Sequence, residues 1–309
     1  MYPVTKEMAA LKIAVVASPG SILMAKETIG KLKAEGYNTV GLKFNDSWQD
    51  VPRAGIDSML SGVTHFLCIL EHGDGDRSWL AFIVGLARGK SVHLALKKPE
   101  PAWKPKPWIA DILTFDDEQE LVRFYRSESV EWKIREGRQF AKATLLELGI
   151  SWHGESLCQC VKDGNTKAVE LFLLSGFPPD ARDKFGVPIL CLAARSKHRS
   201  IVELLLDQGA FVDAQSDDRG YSSLLDAAQQ GDHGIVELLL ERGANPDTQS
   251  KDGQTALILA VGRNDGPMVS TLLARGADPE ITDKLGLSAR KYAKLFNHPA
   301  ILALFGPAS

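Results

Sequence analysis

The chain has 309 residues, so a prior of roughly 150 residues per domain leads us to expect two domains. Hydrophobic residues make up 44 % and charged residues 24 %, which excludes a mostly disordered chain. The net charge is −3 and neither half is a basic platform, which argues against nucleic-acid binding. No apolar run approaches the ~20 residues needed to cross a bilayer, so no membrane is expected as a partner. The apolar run at residues 13–17 is too short for a signal peptide. Cys68, Cys158, Cys160 and Cys191 form no disulfide framework, which points to a reducing, cytoplasmic compartment. Cys158 and Cys160 lack nearby ligand partners at metal-binding spacing and are read as small buried side chains.

In the N-terminal half, apolar runs alternate with helical patterns. The β-branched run 12–18 ends in Ser-Pro-Gly and reads as a buried strand followed by a turn. Residues 21–35 have helical spacing, with Ile22, Ala25, Ile29 and Leu32 on one face and Gly36 as a stop. A second strand is expected at 39–44 and a weaker short helix at 51–60. A third strand is expected at 64–70, a helix at 78–89 and a fourth strand at 91–96. A proline-rich loop at 101–107 leads to a short fifth strand within 109–115. Asp116 and Asp117 then cap a long helix. Strands alternating with helices predict a parallel sheet covered on both faces. Five strands suit the flavodoxin-like order 2-1-3-4-5, an α/β domain over residues 1–117. In such sheets a ligand sits beyond the C-terminal strand ends at the switch point, between the first and third strands. The loops there supply Ser18, Gly20, Ser21, Asn45, Glu71, Asp74, Asp76, Ser78 and Trp79 as pocket candidates. Neither a G-x-G-x-x-G motif nor a P-loop lysine stands among them.

The segment 78–87, Ser-Trp-Leu-Ala-Phe-Ile-Val-Gly-Leu-Ala, resembles the helix after the third strand in TIR-like and nucleoside deoxyribosyltransferase-like domains. Ser78, Trp79, Gly85 and Ala87 match the family pattern. That resemblance implies a glutamate serving N-glycosidic cleavage, and Ile83 stands in its place. Isoleucine can neither attack an anomeric carbon nor stabilise positive charge, so no catalytic residue is assigned. The expectation is a catalytically dead domain that is a second interaction module or a nucleotide sensor, and that is open to homodimerisation. The alternative is an enzyme cleaving nucleosides or NAD, with Glu71, Asp74 or Asp76 in the missing role and the C-terminal half targeting it.

Residues 118–150 are rich in charge and read as a helical connector. Phe140, Ala141, Leu145, Leu146 and Leu148 form a stripe expected to dock on the start of the C-terminal half.

The C-terminal half, 151–309, repeats itself. Gly186, Gly220, Gly253 and Gly286 are spaced by 34, 33 and 33 residues. Gly176, Gly209, Gly243 and Gly276 keep step at 33, 34 and 33. Between them recur an apolar helix with a small-residue pair, a polar break, a second helix with Leu-Leu, and a Gly-Ala or Gly-Phe stop. This grammar resembles the ankyrin repeat, G-x-T-P-L-H-L-A-A followed by V-x-L-L-L-x-x-G-A-D, over about 152–306. About five units are expected, the outer two degenerate caps. In the first, Cys158 and Cys160 replace the histidine and first alanine. In the last, Arg290 and Lys291 enter apolar positions.

Such an array implies an all-α solenoid with no cofactor and no metal, binding a protein partner on its concave surface. By the repeat's pattern that surface includes Lys184, Phe185, Arg195, Arg219, Tyr221, Gln229, Gln230, Lys251, Gln254 and Arg263. Asp218 joins them on the same face. Phe185 and Tyr221 are read as exposed aromatic anchors at turn tips. His198 and His233 are read as polar turn residues.

Overall fold

A computed structural model describes residues 11–43, 60–71 and 78–306. Residues 51–59 of the short helix expected at 51–60, and the pocket candidates Asn45, Asp74 and Asp76, lie outside them, as does the side chain of Ser78. The chain divides into two compact units, 1–137 and 138–309.

The first unit is built on a parallel five-stranded sheet, in the order β2-β1-β3-β4-β5. The strands are β1 Lys12–Ala17, β2 Asn38–Lys43, β3 His65–Ile69, β4 His93–Lys97 and β5 Leu113–Phe115. All pairs are parallel; Ile13 registers with Thr39 and with His65, and Lys97 with Phe115. Side chains alternate across the sheet and fill two separate cores. Ala14, Val16, Phe66 and Cys68 face one way, toward Leu80, Ile83 and Ala87 of helix α2, Ser78–Lys90. Ile13, Val15, Leu67 and Ile69 face the other way. Their core takes in Ala25 and Leu32 of helix α1, Ile22–Ala34, and Leu121 and Tyr125 of helix α3, Glu118–Glu147. Burial on both faces explains why β1 and β3 read as continuous apolar runs rather than alternating ones.

The fifth strand is shorter than its apolar stretch suggests. Pro107–Ile109 forms a 3-10 turn, and Ile109 is buried in the core beside α2. Helix α3 runs unbroken for 30 residues, and the carboxylate of Asp117 accepts from the backbone N–H of Glu120 at 2.7 Å. Its last turns belong to the second unit, where Ala141 and Leu145 are fully buried with the repeats.

The second unit is a stack of five helix pairs. They are α4 Gly154–Lys162 with α5 Thr166–Leu174, α6 Ile189–Arg195 with α7 Arg199–Asp207, and α8 Ser223–Gln230 with α9 His233–Glu241. Two more complete the stack: α10 Ala256–Gly262 with α11 Gly266–Ala274, and α12 Ala289–Leu295 with α13 Pro299–Leu304. The small pairs Ala193-Ala194 and Ala227-Ala228 are fully buried, which lets the inner helices approach closely. Side-chain caps recur at the starts of both helix types. Ser222, Thr255 and Ser288 accept from the N–H three residues on, and so do Asn165, Asp232 and Asp265. Each such cap is worth about 1 kcal/mol.

Successive turns are joined through the backbone. Asp217 N–H donates to the Gly186 carbonyl at 3.1 Å, Lys251 to Arg219 at 3.0 Å and Lys284 to Asp252 at 3.0 Å. This contact explains one glycine ladder. Gly220 has φ +66°, and a Cβ there would stand 2.8 Å from the backbone nitrogen of Lys251. The histidines bridge units as well. His198 Nε2 lies 2.9 Å from the Lys162 carbonyl, and His233 Nε2 lies 3.0 Å from an Asp265 carboxylate oxygen. Cys158, Cys160 and Cys191 are buried thiols, and burial pushes all three pKa values up.

Candidate interaction face of the repeat array

The turn before α6 carries the most exposed aromatic of the inner units. Asp183 accepts from the N–H groups of Phe185 at 2.9 Å and Val187 at 3.0 Å, so the tip is pinned by one carboxylate. Val187 turns inward and is buried, and Phe185 stands out at 66 % exposure. The Lys184 ammonium lies 5.3 Å from the Phe185 ring centroid. Two hollows meet at this tip. One, of about 630 Å³, runs over α4 past His153, Cys158, Gln159 and Lys162. The other, of about 400 Å³, runs past Leu192, Arg195, Ser196 and Asp218. Phe185, Asp183 and Lys162 line both.

The next layer is a charged cluster. Arg195 donates from Nε to Asp226 at 2.8 Å and from its terminal nitrogens to Asp218 at 3.0 and 3.2 Å. Arg219 donates to the same Asp226 oxygen at 3.0 Å. Asp226 is 1 % exposed, and its other oxygen has no hydrogen-bond partner among the described residues. Burial pushes its pKa up to about 6, against the opposing pull of Arg195 and Arg219. Asp218 sits at the rim. Despite some desolvation, hydrogen bonds from Arg195 and Ser216 hold its carboxyl well below the usual range.

Asp226 stands where the repeat pattern has a leucine, and glycine and leucine spacing alone does not single it out. An acid inside Leu224-Leu225-Asp226-Ala227-Ala228 is the signal that could have found it.

The expectation for Tyr221 is corrected. It is 6 % exposed, not an exposed anchor. Its hydroxyl donates to Gln254 at 2.9 Å, and the Arg219 guanidinium covers its ring at 4.3 Å. The physical reason is positional. The residue after the turn glycine, such as Val187 or Tyr221, lies between successive turns. The residue before the glycine forms the tip, so Phe185 and Leu285 are exposed. Sequence distance from the glycine is one residue in each case, and the direction decides burial.

The other candidates on this face are spread along the array. Lys251 donates from Nζ to the Asp217 carbonyl at 2.5 Å, and Arg263 donates to the Gln229 carbonyl at 3.0 Å. Gln230 and Gln254 are half-buried. Arg290, read as part of a polar cap, donates to Glu280 at 2.5 Å and to the Gly306 and Phe305 carbonyls. The cap is not wholly polar, since Leu285, Leu295 and Phe296 are exposed on the last unit.

In the α/β unit the structure brings Ser18, Gly20, Ser21 and Glu71 together at the C-terminal ends of β1 and β3. The Glu71 carboxylate occupies the space a Cβ on Gly20 would need. Ser18 and Ser21 are buried, with hydroxyls 2.9 Å apart, and Ser21 donates to the Ile69 carbonyl at 3.1 Å. Those contacts tie the turn to the sheet. Trp79 is corrected from pocket wall to core: it is 2 % exposed and packs with Leu80 and Ile83. It opens a helix whose apolar face lies on the sheet, so a large ring at this point is drawn inward. Ile83 is fully buried in that core.

Paired antiparallel helices, stacked through glycine turns and alanine pairs, define a helical-repeat protein with an α/β unit before the repeats. A family model for ankyrin repeats, in its three-copy form, matches residues 157–250 and 224–306. A curated ankyrin repeat-containing protein of Treponema pallidum (strain Nichols) is 35 % identical over 276 residues, which is 89 % of this chain and 93 % of that protein. The chain belongs to the ankyrin-repeat proteins. That alignment is longer than the array, so the likeness extends into the α/β unit. Ankyrin repeats point to protein–protein interaction.

Proposed function

We propose that this protein is a non-enzymatic adaptor that holds a protein partner in the hollows on either side of Phe185. The observation that carries this is the exposed phenylalanine itself, fixed by Asp183 where two hollows meet. A pinned aromatic beside a groove loses little entropy on binding, and such anchors lose about 2 kcal/mol or more when truncated. Arg195 and Arg219 are taken up by Asp218 and Asp226, and Lys162 and Lys184 line the larger hollow, so a partner segment with an apolar residue beside a carboxylate fits best. Gln229, Gln230, Lys251, Gln254 and Arg263 extend the same face. Tyr221 supports it from beneath.

In this reading the α/β unit is a degenerate TIR-like domain, a second interaction or nucleotide-sensing module without glycosidic cleavage. Ile83 supports it, because the position where the resembling families place a glutamate carries an apolar side chain packed in the core. Buried cysteines that form no disulfide suit a cytoplasmic setting.

The test is affinity capture with the full chain, with Phe185→Ser and with Phe296→Ser as a control on another exposed aromatic. A partner retained by the wild type and the control, and lost from Phe185→Ser, is expected. A partner captured equally by all three overturns the assignment. Incubation with NAD and nucleosides should release no base. Release that disappears on Glu71→Ala would replace the adaptor with an enzyme.

A further inference from the structure

We propose that His65, His93 and Glu128 form a binding site for a divalent transition-metal ion of the zinc class. The site lies at the N-terminal ends of β3 and β4, the opposite end of the sheet from Ser18 and Glu71.

The placement follows from strand register. His65 and His93 are direct partners on adjacent parallel strands, so their side chains leave the same face of the sheet. Their rings stack with centroids 4.9 Å apart. Glu128 reaches them from helix α3. Its Oε1 lies 3.4 Å from His65 Nε2 and 3.8 Å from His93 Nδ1. One atom from each of the three residues falls within a 4.8 Å group. Zinc–ligand bonds of about 2.0–2.1 Å place neighbouring tetrahedral ligands roughly 3.4 Å apart, so the trio is near a bound geometry without backbone movement.

The support around the ligands suits the same reading. Thr64 Oγ1 lies 2.9 Å from His65 Nδ1 and 3.2 Å from the Lys12 carbonyl. With its hydroxyl donated to that carbonyl, Thr64 accepts Nδ1–H and leaves the Nε2 lone pair toward Glu128. An outer-shell acceptor of this kind orients a ligating imidazole. A second, independent observation is the wall of the site. Tyr125 is fully buried, its ring edge-on to His65 with centroids 5.9 Å apart, and its hydroxyl has no hydrogen-bond partner among the described residues. Trp132 closes the side with its edge to both imidazoles, at 5.5 and 6.3 Å.

His93 is half-exposed and opens the site to solvent, so three protein ligands leave a fourth position for water. Arg135 stands at this mouth, 3.1 Å from His93 Nε2 and 3.8 Å from Glu128. In the metal-free protein its guanidinium balances the buried carboxylate. It is half-exposed, and a metal ion displaces it toward water.

The experiment uses the full chain, stripped with a chelator, and titrates in cobalt(II) and zinc(II). One equivalent of cobalt should bind with visible bands of a four-coordinate nitrogen–oxygen site and without thiolate charge-transfer bands, and zinc should displace it. His93→Gln and Glu128→Gln should each weaken binding by tenfold or more. Arg135→Ala, which removes the competing cation, should tighten it. His93 and Arg135 are half-exposed, so those variants keep the fold in place, and circular dichroism checks it. Absence of a one-to-one complex at 100 µM metal, thiolate bands, or binding unchanged in both His93→Gln and Glu128→Gln would each overturn the site.

Discussion

The two units are held together in different ways. In the α/β unit each strand depends on partners far away in sequence: β1 pairs with residues near 40 on one side and near 67 on the other. In the array each helix pair touches only the pairs beside it, and the same contacts recur about every 33 residues. Stability in the first unit is therefore collective, whereas in the second it is a sum of unit and interface terms. Damage to one repeat should spread to its neighbours and fade. Damage to the sheet should remove the whole α/β core.

The sharpest test of that contrast is Leu239→Ala. Leu239 is fully buried between units, and its truncation should cost about 2–5 kcal/mol through the cavity left behind. Hydrogen exchange should accelerate in α6 to α11 and stay unchanged in the sheet. Exchange altered only in α9 would remove the coupled-repeat description.

Asp226 gives the next largest effect, read through pH. Its folded pKa is raised to about 6 from 3.8. A raised carboxyl stabilises the fold below the unfolded value, and that contribution is lost as pH rises from about 4 through about 6. The amount is on the order of 3 kcal/mol. Asp226→Asn should flatten the stability profile across that window, as followed by urea unfolding at pH 4, 5, 6 and 7. A slope that survives the substitution would place the titrating group elsewhere.

Two glycines separate conformational strain from crowding. At Gly209, φ is +86° and nothing lies within 4 Å of a would-be Cβ, so Gly209→Ala should cost about 1 kcal/mol. At Gly220 the same strain is joined by the Lys251 backbone, so Gly220→Ala should cost measurably more in thermal melts. Equal costs would mean that the turns are not in close contact. The smallest effect should come from Arg242→Ala. Its pair with Asp207 at 2.7 Å is solvent-exposed, so the change should stay within about 0.5 kcal/mol.

The contrast also governs what could be read from the sequence. The array was legible because its contacts are local and repeat, so two glycine ladders and the Leu-Leu positions define both helices of a unit. The strand order was legible because alternating strands and helices leave few parallel arrangements. Individual side chains were harder. Phe185 and Tyr221 flank equivalent glycines on opposite sides, and only the turn-to-turn packing distinguishes tip from interior. Asp226 gains its role from Arg195, 31 residues earlier, and Arg219. His65, His93 and Glu128 carry no spacing motif at all; register and one helix bring them together.

The backbone ladder along the turns has an evolutionary consequence. Each turn presents an N–H toward the preceding turn and a carbonyl toward the next, as Asp217, Arg219, Lys251 and Asp252 do. A whole unit can thus be duplicated or deleted and every donor still finds an acceptor. A change of one residue inside a turn would leave two neighbours without partners. The gene encoding such a chain is free to lengthen or shorten in steps of a full unit, and the groove beside Phe185 can lose or gain distant flanking surface without being rebuilt.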